Sequence, residues 1–576
     1  MRALALACVA IASCALVAGA PHAAPPPKVL RIAQQSIGGD SLDPAMLASV
    51  IVANVIENIM EPMLRYDYVA RPLKLVPNTL ESMPEVSEGG RVYVCRLKRG
   101  VLFAPDPAFG GKPRELTAND YAYSIRRLFD PRYRSSQFFL VDGKIVGANA
   151  LRKAALAGAP FDYDKPIAGL RVVDRYTLRI TLAEPDLNFL HILAQQTLAA
   201  VAREVVERYG ADVGQHPVGT GPYRLVERHV GSRLVFARNP NYREEYFEGR
   251  RLPTIDRVEL SYTVEDQPMW LAFLGRDLDM MINVPVGFRL MAAPNGRLAP
   301  HLAREGVVMQ TYVYPAIWFD SFNMRDPVVG GYTPERVALR RAIALAFDRR
   351  QAIDIIFNGG ALAANGVVPA GVAGHDAQVV TDVFDHDLPR AKALLDLHGY
   401  VDRDCDGWRE APSGAPLEIT FLSPSEPRFR PWDELWTKAF GSLGVRMIQQ
   451  KMHQSDLIKH VLSAKHQLAM NAWNMDYPDG EDFFVLLYGG AAGSANQSFF
   501  ALPEYDRLYD EARLLPDSPE RDRLYRRMDR LAFAYMPMVM KLYPVRIALT
   551  HPWVRGYRPH PVHLEPWKYL DIEHGK

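Results

Sequence analysis

From Lys28 onward the sequence alternates short runs of β-branched and apolar residues with amphipathic segments that carry helix caps, and few folds accommodate that alternation. "VLRIA", "LEITFLS", "VRMIQQ" and "QLAMNAW" read as strands. "LRVVDRYTLRITL" reads as a β-hairpin turning at Asp174-Arg175. "LTANDYAYSIRRLFD" opens a helix with Thr117 as N-cap and Asp120 in the first turn. "YTPERVALRRAIALAFDRRQAIDIIFNGG" has Thr333 as cap and Pro334 at the first helical position, and its helices end at Gly359-Gly360. "ASVIVANVIENIMEPML" places Val52, Val55, Ile56, Ile59 and Met63 at helical spacing. The pattern predicts α/β units, not an all-α or all-β chain. At 576 residues, three or four domains are expected.

A formal net charge of +1 gives no electrostatic reason to expect nucleic acid or an anionic membrane as partner. "MRALALACVAIASCALVAGAPHAA" has the Arg2, apolar run and small residues of a secretory signal, taken as residues 1–24. "IASC" also resembles a lipobox, which makes Cys14 the alternative, lipid-anchored start. Beyond that leader no run is long and apolar enough to cross a membrane. Only Cys95, in a strand, and Cys405, in a distant loop, remain in the mature chain, and they are expected unpaired.

Three groups of residues invite chemistry. Gly39-Asp40-Ser41-Leu42 resembles the signature block of the GDSL esterases, and Asp571 and His574 have the Asp-x-x-His spacing of a triad. The Gly-x-Asn-Asp block that such enzymes need is missing, and His574 is the third residue from the end. The competing expectation is a turn ahead of Leu42-Asp43-Pro44. Asp402, Asp404 and Asp406 with Gly407 copy the start of a calcium loop, but Ser413 stands where a bidentate Glu is needed. His560 and His563 have no further ligands nearby and are expected to be a surface pair. The third candidate is Asp476, read as a lone acid beside Trp473, Met475 and Tyr477. If buried it needs a cation, which is either a protein Arg or Lys or the cationic end of a ligand.

Several blocks, in order over nearly the whole mature chain, resemble family 5 extracellular solute-binding proteins, the peptide- and nickel-type receptors of bacterial ABC importers. They are "SLDPA", "YVCRLKRGVLFAPD…LTANDYAYSIRRLFD", "PVGTGPYRLVE…ARNPNY", "FNMRDPVVGGYTPERVALRRAIALAFDRRQAI", "AKALLDLHGYVDRDCDGWRE" and "AWNMDYPDGEDFF". The resemblance implies an α/β, type II periplasmic binding protein fold. It has two lobes, an extra inserted domain, and ligand held in the interlobe cleft by hinge closure. It places domain I at 28–70, 196–312 and 538–576, domain II at 71–195 and domain III at 313–537. It implies a periplasmic monomer without cofactor or catalysis, handing a short peptide or similar amine-bearing solute to an inner-membrane ABC permease. Asp476 matches the aspartate that pairs with the ligand ammonium, with Trp473, Asn474 and Tyr477 around it. Gly219, Gly221 and Pro222 are expected to set a tight structural turn. One departure is Met470, where some oligopeptide receptors carry an arginine that can meet a ligand carboxylate.

Overall fold

A strand of 13 residues, Met538–Thr550, ties the molecule together. Its first half pairs antiparallel with Trp318–Ser321, in the strand Ala316–Phe322. Its second half pairs antiparallel with Val308–Val313 and Met280–Met281. Ten of its residues are buried, because sheet and helix cover both faces, and only Pro544, Val545 and Arg546 keep partial exposure. The structure, a computed structural model, describes residues 26–35, 41–47, 49–71, 73–379 and 385–573. The leader with Cys14, Gly39, Asp40 and His574 lie outside the described residues.

Two large apolar cores flank that strand. One gathers residues between Leu30 and Leu260 with the returning segment Ala548 to Ile572. It contains a four-stranded sheet in which Val29–Gln35 runs parallel to Arg257–Thr263, followed by Arg233–Arg238 and Tyr223–His229. A second four-stranded antiparallel sheet, built from Glu85–Ser87, Val92–Arg96, Thr177–Thr181 and Leu170–Asp174, packs into the same core. The other core gathers residues between Ile317 and Tyr543. Its sheet continues from Ala316–Phe322 to Leu468–Asn474 (antiparallel), then Glu418–Pro424 and Arg446–Met452 (parallel). We call the two bodies the first and second lobes.

Local chemistry explains many elements. The helix Ala118–Phe129 starts with a capping box, in which Asp120 accepts from the Thr117 amide at 2.7 Å. Pro334–Ala346 begins with Thr333 before it and Pro at its first position. The hairpin Leu170–Asp174 and Thr177–Thr181 turns where its sequence suggested. Cys95 is buried in the strand Val92–Arg96 and Cys405 is exposed in its loop, both as free thiols.

Two expectations need correction. The helix written by Val52 to Met63 spans only Val50–Ile56. Ile59 and Met63 are buried, but by tertiary contact. The carbonyls of Ile59 and Asn58 accept from Gly221 and Tyr223, and Pro62 follows close behind. A Cβ at Gly219 would lie 2.2 Å from the Ile59 oxygen, so glycine is required there by close backbone approach. The second correction concerns the histidine pair. His560 is buried, with 1% of its surface exposed. Its Nδ1 accepts from the amides of Val562 and His563, and His563 meets Glu57 at 2.9 Å. The pair closes a turn in the first lobe. Burial pushes His560 down to about 2, so it sits there uncharged.

Candidate functional site

The loop after Leu468–Asn474 emerges where the two lobes meet. Its sequence, "MDYPDGED", carries four acids within seven residues, Asp476, Asp479, Glu481 and Asp482. Asp476 is therefore not alone, as it had been expected to be. Each acid finds a different environment.

Asp479 is fully engaged by its own lobe. Arg521 forms two hydrogen bonds to it, at 2.6 and 2.8 Å, and the Tyr525 hydroxyl adds a third at 2.9 Å. Glu481 accepts from the hydroxyls of Tyr477 and Tyr509, and from Asn188 of the first lobe at 3.1 Å. Asp482 is buried and accepts the backbone N–H of Asp476 at 3.0 Å. Burial raises its carboxyl well above the usual carboxylate range, and the neighbouring Asp476 charge raises it further. Trp473 Nε1 lies beside Asp482 without a partner in hydrogen-bond geometry.

Asp476 keeps part of its surface open. Among the described residues, its carboxylate forms no ion pair and accepts no hydrogen bond. Desolvation pushes it up to about 6. Two carboxylates thus share one site with no protein cation between them, and a proton or a bound cation must balance them.

The first lobe covers this loop. Gln195 Nε2 donates to the Asp476 carbonyl at 2.6 Å. His191 stacks on Tyr477 with centroids 5.7 Å apart, and it also stacks on Tyr66, whose hydroxyl meets His191 Nδ1 at 2.9 Å. Burial lowers His191 below the usual imidazole range, so it serves as a neutral aromatic plate and not as a rival cation. Of the four residues singled out from sequence, Asp476, Trp473 and Tyr477 line this junction, and Asn474 is exposed beside them. Asn188, His191, Gln195 and Asp482 were not foreseen. The density of acids after Trp473 was a readable signal for Asp482, whereas nothing local marks the first-lobe residues.

Met470 is packed in the second core with 5% of its surface exposed. It faces Asp320 in register, and Asp320 is already paired with Lys541 at 2.7 Å, both side chains being fully buried. Position 470 therefore offers the cleft no cation.

The other candidates resolve differently. Ser41 Oγ accepts from the Asp43 amide at 3.2 Å, while Asp43 itself is held by Arg127 at 2.6 and 2.8 Å in a buried pair. Asp571 pairs with Lys28 at 2.5 Å and lies 3.6 Å from Arg250. No Ser-His-Asp contact forms among the described residues, and the segment around Ser41 is a structural turn anchored by Asp43. Asp402, Asp404 and Asp406 do converge, joined by Glu410, with ligand atoms within 4.8 Å of one another. Arg446 meets Asp406 at 2.6 Å, and Asp402 and Asp404 accept backbone amides of the same loop.

A profile of the bacterial extracellular solute-binding proteins, family 5 middle region, matches residues 74–495. Di/tripeptide-binding protein 2 of Pseudomonas aeruginosa is 24% identical over 511 residues, covering 87% of each chain. Heme-binding protein A of Haemophilus influenzae is 22% identical, covering 85% of this chain and 83% of its own. Among solved structures, the ABC transporter-associated periplasmic binding protein DppA from Helicobacter pylori, in complex with peptide STSA, superimposes with a TM-score of 0.70. That match has 20% identity and covers 95% of this chain and 98% of the other. The fold is that of the type II periplasmic binding proteins.

Proposed function

The chain belongs to the bacterial extracellular solute-binding proteins of family 5, and from that premise we propose that it is the periplasmic receptor of an ABC importer for short peptides or similar amine-bearing solutes. The observation that carries the reading is the Asp476 carboxylate, at the lobe junction, with no cation among the described residues to neutralise it. A primary ammonium brings three N–H donors and one positive charge. It meets Asp476 directly and relieves the repulsion between Asp476 and Asp482. Closure of the first lobe over the loop removes water and strengthens that attraction. Trp473 and Tyr477 wall the site with aromatic surface, and Asn474 offers an amide at its rim.

In this reading the protein does no chemistry. It captures the solute as a monomer and presents it to the permease, with domain I at 28–70, 196–312 and 538–576, domain II at 71–195 and domain III at 313–537. Residues 1–24 direct export, with Cys14 as the alternative anchored start. Names of relatives support a peptide cargo, since one is a di/tripeptide-binding protein and one neighbour was solved with a tetrapeptide.

The test is calorimetry on ligand-stripped protein with trialanine and N-acetyl-trialanine. The free amine should bind and the acetylated form should not. Asp476→Asn should weaken trialanine binding about thirtyfold or more, since removing one partner of an enclosed charge pair costs about 2–5 kcal/mol. Equal affinity of wild type and variant would reject the role of Asp476.

A further inference from the structure

Residues 544–546, the stretch of the long strand that keeps partial exposure, lie where the chain crosses between the lobes. Pro544 brings no N–H to the ladder there. A short strand, Ala361–Ala363, pairs with Leu542, Tyr543 and Pro544 at that crossing. Just before it, the Gly360 carbonyl accepts from two donors, the Val545 amide at 2.9 Å and Arg289 Nη1 at 3.0 Å. Arg289 is 5% exposed and opens a short helix, Arg289–Ala292. That helix packs with Ile547 and Leu549, on the half of the long strand that joins the first lobe. A Cβ at residue 360 would run into the Arg289 guanidinium, so only glycine lets the contact form. Asn358 Nδ2 adds a bond to the Val286 carbonyl at 2.9 Å. Residues 358–360 are thus gripped from across the crossing.

From residue 364 to 376 the chain is loop, yet it is fastened step by step. The Ala364 amide donates to the Lys541 carbonyl at 3.1 Å. The Tyr543 hydroxyl accepts from the Gly366 amide at 3.0 Å and donates to the Gly366 carbonyl at 2.6 Å. The Val367 amide donates to Asp529 at 3.0 Å. Ala364, Val367, Val368 and Val372 join the second core.

The far end of this loop meets the acidic loop. Ala373 forms a parallel bridge with Asp479, and a Cβ at Gly480 would lie 3.1 Å from the Ala373 oxygen. Asp476 stands three residues before that bridge, and its own amide is held by Asp482 at 3.0 Å. One continuous, mostly buried segment therefore joins the lobe crossing to the back of the loop that carries Asp476. Close-packed interiors transmit a displacement along such a path and do not absorb it.

We propose that residues 360–376 are a strap that couples rotation of the lobes to the loop of Asp476, with Arg289 as the positioning residue at its hinge end. When the lobes rotate, Arg289 moves with the first-lobe half of the strand, and the strap carries that movement to the backbone at Asp479. The solute-sensing role of the strap rests on the reading of Asp476 as the ammonium anchor, and the experiment separates the two.

Amide hydrogen exchange, read by mass spectrometry, is followed in ligand-free wild type, Arg289→Gln, Arg289→Lys and Tyr543→Phe, with trialanine calorimetry alongside. Amides of residues 475–483 should exchange about threefold to tenfold faster in Arg289→Gln and in Tyr543→Phe, the range of one lost hydrogen bond. Trialanine affinity should weaken by a similar factor, and Arg289→Lys should recover part of both. Faster exchange confined to residues 286–292 and 357–363 overturns the strap and leaves the ammonium anchor intact. Faster exchange spread evenly over the second lobe overturns it too, since that is general loosening. A loosened loop with unchanged trialanine affinity removes the strap's role in binding. If Arg289→Gln fails to fold, Gly360→Ala, which pushes the same guanidinium aside, carries the same expectation. If wild type does not bind trialanine, the ammonium anchor falls, and loop exchange in the ligand-free protein still decides the coupling.

Discussion

Asp476 and Asp479 stand three residues apart in one loop, and the fold treats them in opposite ways. Asp479 is 2% exposed and clasped by Arg521 and Tyr525 from its own lobe. Asp476 is half-buried and meets no cation among the described residues, with Asp482 adding repulsion. The first arrangement holds the loop in place. The second leaves a carboxylate without a partner among the described residues at the junction of the lobes. A buried ion pair contributes little net stability over an apolar substitute, but breaking one is costly. The Asp479–Arg521 clasp is thus best understood as the rigid mount that lets Asp476 remain unpaired.

The strongest way to break this comparison is Arg521→Ala. Loss of the clasp should cost about 3–5 kcal/mol of stability, because it strands Asp479 in a dry interior. Urea unfolding followed by circular dichroism measures it. A loss under 1 kcal/mol would mean that Asp479 has solvent or another donor in reach, and the contrast between the two acids would collapse.

The next test uses pH. Asp476 titrates near 6 in the folded, unliganded protein, above its ordinary 3.8. A raised acid favours the protonated fold, so its contribution to stability is greatest below 3.8 and falls as pH rises through about 6. Binding of an ammonium needs the carboxylate, so affinity moves the other way. Trialanine affinity should fall about tenfold from pH 7 to pH 5, with proton release seen by calorimetry in two buffers. Asp476→Asn should remove that slope, and the ligand-free variant should melt above wild type at pH 8. A slope unchanged by the substitution would assign it to another group.

The smallest effect belongs to the contact between lobes. Asn188→Ala removes the 3.1 Å bond to Glu481 and leaves each lobe's interior alone. Affinity for trialanine should weaken about threefold to tenfold, the range of a typical single hydrogen bond. Melting of the ligand-free protein should stay put. A larger drop in melting would show that this contact holds the loop and not closure.

Much of the architecture was legible because its determinants are local. Thr117 with Asp120, and Thr333 with Pro334, start helices by satisfying or omitting donors within one turn. The strands around Phe421 and Met470 follow from short apolar runs. The segment after Ile56 failed that logic. Its spacing is helical, but carbonyls at Asn58 and Ile59 are taken by the Gly219–Tyr223 stretch, which is distant in sequence. The histidine pair failed for the same reason, since Glu57 lies some 500 residues from His563.

The sequence alone determined that this chain is an α/β protein, and its ordered blocks marked Asp476 as the residue to examine. Only the tertiary structure decided which of four neighbouring acids is free. That choice depends on Arg521 reaching Asp479 and on no cation reaching Asp476. It likewise decided that Met470 belongs to the core. Caps and alternation are written within a turn or a strand. The state of a charge depends on every segment packed within a few ångströms of it, and those segments meet only when the chain has folded.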